Sequence, residues 1–289
     1  RMNQFKTVAL LGALSALLFT ISFSVFGGAL GVAAGIGLAA LTNLGAWYYS
    51  DRLVLTAYQA QPVTPEAAPD LHRMVARLTQ KANIPQPAIY VLPNPAANAF
   101  ATGRDPDHAA IAVTQGILDL LPADELEGVI AHELSHVINR DTLTQAVAAT
   151  IAGAISFLAQ MLSYALWFGG GSRDDDGPSP LALLATVLLA PVAATVIQLG
   201  ISRTREFSAD AGAAELTGNP LALASALRRL ENRAQQMPMG GNPAFAPLMI
   251  VNAPAKQMMA RLFSTHPSTE QRVERLTTMS IPGKTAVEL

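Results

Sequence analysis

Residues 122–137 read PADELEGVIAHELSHV, and within them His132-Glu133-Leu134-Ser135-His136 decides the fold. Pro122-Ala123-Asp124-Glu125 is a helix start, because acids belong in a first turn beside the positive end of the helix dipole. Residues four apart on a helix share a face, so the imidazoles of His132 and His136 can bind one ion. Glu133 sits about 100° round from His132, beside that ion rather than on it. From there its carboxylate can take a proton from a water molecule. This is the H-E-x-x-H pattern of zinc metalloproteases. Ile130, Leu134 and Val137 give the same helix an apolar face.

A catalytic zinc takes three protein ligands and one water. The extended form H-E-x-x-H-x-x-G-x-x-H would need Gly at Asn139 and His at Thr142, and neither is there. The chain has no cysteine, so the third ligand comes from His or a carboxylate. Asp141, Glu206 and His266 are the candidates. Asp141 is too close in sequence to fold back onto the ion. Glu206 lies in Arg205-Glu206-Phe207-Ser208-Ala209-Asp210, with two carboxylates one helical turn apart. That spacing allows Glu206 to ligate while Asp210 orients a ligand imidazole from behind.

Outward from this motif the chain changes character. Of 289 residues, 51% are hydrophobic and only 14% charged, against about a quarter in soluble domains. No Asp, Glu, Lys or Arg occurs in 7–50, 142–172 or 177–202, runs of 44, 31 and 26 residues. Elsewhere the charge content is ordinary, so the chain is a mosaic of membrane and soluble sequence. A spanning helix needs about 20 apolar residues. The runs predict four spans, near 7–26, 30–49, 143–168 and 181–201, with Phe26-Gly27-Gly28 breaking the first pair and Pro191 kinking the last. Trp47, Tyr48 and Tyr49 form an interfacial belt. Arg52, Arg140, Arg203 and Arg205 flank one side, and the loop GGGSRDDDGPSP carries one Arg against three Asp on the other. The basic side is expected to be cytoplasmic. Acids at Asp124, Glu125 and Glu127 keep the His motif outside the hydrocarbon. Net charge −2 and a pI near 6.2 argue against nucleic acid as partner.

The polar parts predict an amphipathic helix over 67–82 and short strands at 89–92, 97–102 and 109–114. Gly103-Arg104-Asp105-Pro106-Asp107 turns between the last two. Pro62-Val63-Thr64-Pro65 reads as a linker. Residues 203–289 read as helices around a loop near 237–247. His72 and His108 have no partners by spacing.

HELSH, then REFSAD after an apolar hairpin, then His266-Pro267-Ser268 with Arg272, resembles the HtpX family. These are bacterial membrane zinc endopeptidases related to the CAAX prenyl proteases, and the likeness covers nearly the whole chain. It implies His132, His136 and Glu206 as ligands of one zinc per subunit, with Glu133 as general base. It implies that Asn98, Ala99, Phe100, Ala101 and Thr102 form an edge strand onto which extended substrate adds. It implies that His266 and Arg272 stabilise the oxyanion. The expected architecture is a mainly α integral membrane protein. Four transmembrane helices join a zincin-like α+β cytoplasmic metalloprotease domain with a small β-sheet. The parts are a hairpin at 1–50, a first protease segment at 51–142, a second hairpin at 143–201 and a second protease segment at 202–289. The implied role is hydrolysis of misfolded or damaged membrane proteins at the cytoplasmic face of the bacterial inner membrane, with the bilayer itself as the other partner. Two rival readings are a CAAX-type prenyl-peptide protease and a non-catalytic adaptor with structural zinc. A prenyl protease builds a larger membrane chamber, and a structural site closes all four coordination positions.

Overall fold

A computed structural model describes residues 28–149, 203–239, 248–250 and 267–279, with 8, 9, 11, 12, 15, 16 and 151. Of the expected spans, 30–49 lies within these residues. All of 181–201 and most of 7–26 fall outside them, as does 143–168 beyond its first turns. His266 falls outside as well.

Helix α1, Gly28–Ala57, runs eight residues past the span expected to end at 49. Its outer residues are apolar: Leu30, Ile36, Leu41 and Leu44 are each at least 60% exposed. Among the described residues, no helix is long and apolar enough to cross a membrane. The far end of α1 is different. Val54 and Leu55 are buried in a cluster with Leu92, Phe100, Ala112 and Met249, and Tyr58 packs at 6.0 Å from the Phe100 ring.

The sheet has four strands in the order β1-β2-β4-β3: β1 Gln61–Pro62, β2 Ala88–Leu92, β3 Ala99–Gly103 and β4 Ala109–Thr114. β2 and β4 are parallel, and β3 runs antiparallel to β4. The segment read as a linker at Pro62 contributes β1, whose two residues pair with Val91 and Tyr90. Two residues are too few for periodicity to betray. Before the sheet comes α2, Pro69–Ala82, which buries Leu71, Met74, Val75 and Leu78 on one face and starts at a proline. After it comes α3, Gln115–Leu120, capped by the Thr114 hydroxyl. Gly116 is there because the chain passes very close: a Cβ would lie 2.1 Å from the Pro95 carbonyl oxygen. That oxygen belongs to backbone and cannot swing aside. Gly116→Ala is therefore expected to lower stability by about 1–3 kcal/mol, read as a drop in the denaturation midpoint.

The His motif lies on α4, Ala123–Ile138. α4 packs on β3 and against α5, Arg203–Thr217, and α6, Pro220–Gln236. α7, Thr269–Met279, closes over α5 and α6. All but a few residues of α4 are buried, so the helix is the centre of the core rather than a face of it. Its core partners include Leu223, Leu227, Leu230, Val273 and Leu276. Gly212 lets α5 lie close to α4, since a Cβ there would meet Ser135 Oγ at 2.6 Å. That close approach carries Glu206, six residues earlier on α5, to the two histidines.

Candidate metal centre

The structure brings Glu206, distant in sequence, to His132 and His136. His132, His136 and Glu206 each offer one ligand atom, and these atoms lie within 4.8 Å of one another. Glu206 Oε2 is 3.7 Å from His132 Nε2, and its Oε1 is 3.6 Å from His136 Nε2. The imidazoles stand nearly perpendicular with centroids 4.8 Å apart. All three side chains are buried.

The opposite ring nitrogens are held from behind. His132 Nδ1 faces Asp210 Oδ1 at 2.9 Å, and His136 Nδ1 faces Asp141 Oδ2 at 3.1 Å. A carboxylate on Nδ1 fixes the tautomer that leaves Nε2 with its lone pair free. Both Nε2 atoms then point toward Glu206. This arrangement, two imidazoles and one carboxylate, fits the donor set of a catalytic zinc. Asp210 takes the position its spacing predicts. Asp141 does not ligate, in keeping with its sequence position, but its contact with His136 was not foreseen. No periodicity marks a carboxylate five residues past a histidine and beyond a helix end.

Arg272, buried on α7, donates from Nε to Asp210 Oδ2 at 2.9 Å and from Nη2 to Asp210 Oδ1 at 2.6 Å. Its Nη1 donates to the Ile250 carbonyl at 3.1 Å. Nη2 also lies 3.3 and 3.4 Å from the two ring nitrogens of His132. Such near-equal distances put it over the ring face, not on a lone pair. Burial alone would raise the Asp210 carboxyl, but the Arg272 guanidinium and His132 bring it down to about 2.

Glu133 is buried beside the ligands without joining them. Burial pushes its carboxyl up. His132, His136 and a hydrogen bond from the Ala101 amide pull against that, while Glu206 adds to it. A carboxylate raised toward neutrality is a better proton acceptor at working pH. Burial lowers the His136 imidazole, yet Asp141, Glu206 and Glu133 together bring it up to about 9.

The expected substrate strand is present as β3, at the edge of the sheet. All its residues are buried, as is Asn98, whose main chain pairs with Thr114. Bonds to β4 alternate along an antiparallel strand, so Ala99, Ala101 and Gly103 turn their polar groups away from the sheet. Several of those groups are engaged. Ile250 N–H donates to the Ala99 carbonyl at 3.1 Å, the Thr142 hydroxyl donates to the Gly103 carbonyl at 2.8 Å, and Glu133 meets the Ala101 amide.

The family model for peptidase family M48 matches residues 65–280. The chain belongs to peptidase family M48. Within the M48 proteins it is 67% identical over 275 residues to the protease HtpX homolog of Nostoc punctiforme, covering 95% of each chain. It is 47% identical over 272 residues to the protease HtpX homolog of Pyrococcus furiosus, covering 94% of each. The M48 fold is shared with the crystal structure of S. mikatae Ste24p at TM-score 0.50 and 19% identity. That match covers 94% of this chain and 65% of the other. The His132, His136 and Glu206 cluster fits the metallopeptidase character of M48.

Proposed function

We propose that this M48 chain is a membrane-embedded zinc endopeptidase that cleaves misfolded or damaged membrane proteins at the cytoplasmic face of a bacterial inner membrane. The observation that carries the reading is the buried trio His132, His136 and Glu206 with Glu133 beside it. Those three residues would hold the zinc. When bound, zinc supplies Lewis acidity, which makes water acidic near neutral pH and polarises a carbonyl. Glu133 takes the proton of the attacking water and returns it to the leaving amine. Asp210 and Asp141 keep His132 and His136 turned. β3, whose middle residue Ala101 meets Glu133, is the strand onto which the substrate main chain adds in this reading, displacing the contact that Ile250 makes with Ala99. His266 and Arg272 stabilise the oxyanion in this reading. Three converging donors among the described residues favour a catalytic site over a closed structural one. The membrane part rests on the three charge-free runs and on the exposed leucines of α1.

The test is casein cleavage by the full chain in detergent, with zinc content measured on the same preparation. Cleavage should vanish with a chelator and return on adding zinc. Cleavage unaffected by complete zinc removal would sink the reading.

A further inference from the structure

Each histidine has a carboxylate behind it, but the two carboxylates are mounted differently. Asp210 sits on α5, one turn after Glu206, and is fixed by Arg272. Asp141 lies just beyond the end of α4. Arg140 adopts a left-handed conformation, φ 56°, which folds the chain back on the helix end. The Asp141 amide then donates to the carbonyl of His136 at 2.9 Å, while its carboxylate meets the ring of the same residue. Asp141 thus grips His136 at both main chain and side chain. Its own carbonyl accepts from Gln145 N–H at 3.1 Å, starting the helical stretch 142–149. Its other oxygen, Oδ1, is 3.8 Å from Nη1 of Arg205.

Asp141 is the last charged residue before the run 142–172, and Arg205 comes three residues after the run 177–202. The pair therefore joins the two feet of the apolar segment directly behind a metal ligand. We infer that Asp141 is a positioning residue for His136 and that Arg205, at the start of α5, holds it in place. An imidazole can turn about its ring bond unless its second nitrogen is held. Asp141 supplies that hold, and Arg205 keeps its carboxylate aimed.

This inference rests on the proposed zinc site, so its test separates the two. Zinc affinity is measured for the full chain in detergent by competition with a chromophoric chelator, beside thermal unfolding of the metal-free proteins. Asp141→Ala is expected to bind zinc about 10–100-fold more weakly. Asp141→Asn, whose amide oxygen still accepts from Nδ1–H, recovers most of that loss. Arg205→Gln, with Asp141 intact, weakens zinc by about threefold, as a more distant contact should. Asp141→Ala with a lower midpoint but wild-type zinc affinity overturns the inference, since the residue would then be merely structural. If Asp141→Ala does not fold, Arg205→Gln decides, and unchanged affinity there overturns it too. Glu206→Ala is run alongside. A wild-type chain that binds no zinc defeats the metal reading and this inference together. A wild type that loses zinc on Glu206→Ala, with Asp141→Ala as tight as wild type, defeats only the inference.

Discussion

Glu133→Gln is expected to lower kcat for peptide hydrolysis by about 10³-fold or more while zinc content stays at the wild-type level. The two halves of that result have separate causes. Glu133 lies outside the three converging donors, so removing its charge leaves the metal site intact. The amide is nearly the same size as the carboxylate and can still accept from the Ala101 N–H, so the packing between α4 and β3 survives. What it lacks is a basic oxygen able to take and return a proton. Metal analysis and casein cleavage on one preparation check both halves. A variant cleaving within threefold of wild type would remove Glu133 from the chemistry. A variant that loses its zinc would make it a ligand instead.

Arg272→Ala is expected to destabilise the fold by about 3–5 kcal/mol, the scale for breaking a buried ion pair on one side. The guanidinium is 2% exposed and gives two bonds to Asp210. Without it, Asp210 is left as a buried charge facing only His132. Asp210→Asn in the Arg272→Ala background should return part of the loss, because the stranded charge is gone. The pair also fixes a pH dependence. The Asp210 carboxyl lies at about 2 in the folded chain, below its ordinary value of 3.8. A depressed carboxyl contributes stability that is present above its unfolded value and is lost as pH falls through the folded one. The wild type should therefore lose this stabilisation between about pH 4 and pH 2, and the Arg272→Ala variant should lose much less there. Denaturant midpoints across that range check the sign. Unchanged stability in Arg272→Ala would mean that the residue serves substrate alone.

What could be read from residue order alone was whatever repeats locally. The four-residue spacing of His132 and His136, the acids at the start of α4 and the apolar face of α2 all express helical periodicity. Glu206 and Asp210 were legible for the same reason, one turn apart on α5. β3 was legible as a strand, but not its enclosure. Ile250 reaches Ala99 from about 150 residues away, and nothing near Ala99 announces it. Arg272 was given a task toward substrate. Its described bonds run to Asp210, through the packing of α7 on α5, and to the main chain of Ile250. Asp141 was weighed only as a ligand, and its contact with the far nitrogen of His136 was missed because it depends on one left-handed residue, Arg140, which is not a glycine and gives no turn signal.

The buried cluster also has a charge of its own. Glu133, Asp141, Glu206 and Asp210 are all buried, and Arg205 and Arg272 stand against them. Four acids against two arginines leave this interior short of positive charge, and protons on His136 or Glu133 make up part of the shortfall where a cation otherwise would. A cation entering the site takes the place of those protons, so metal uptake is expected to release protons and to weaken as pH falls.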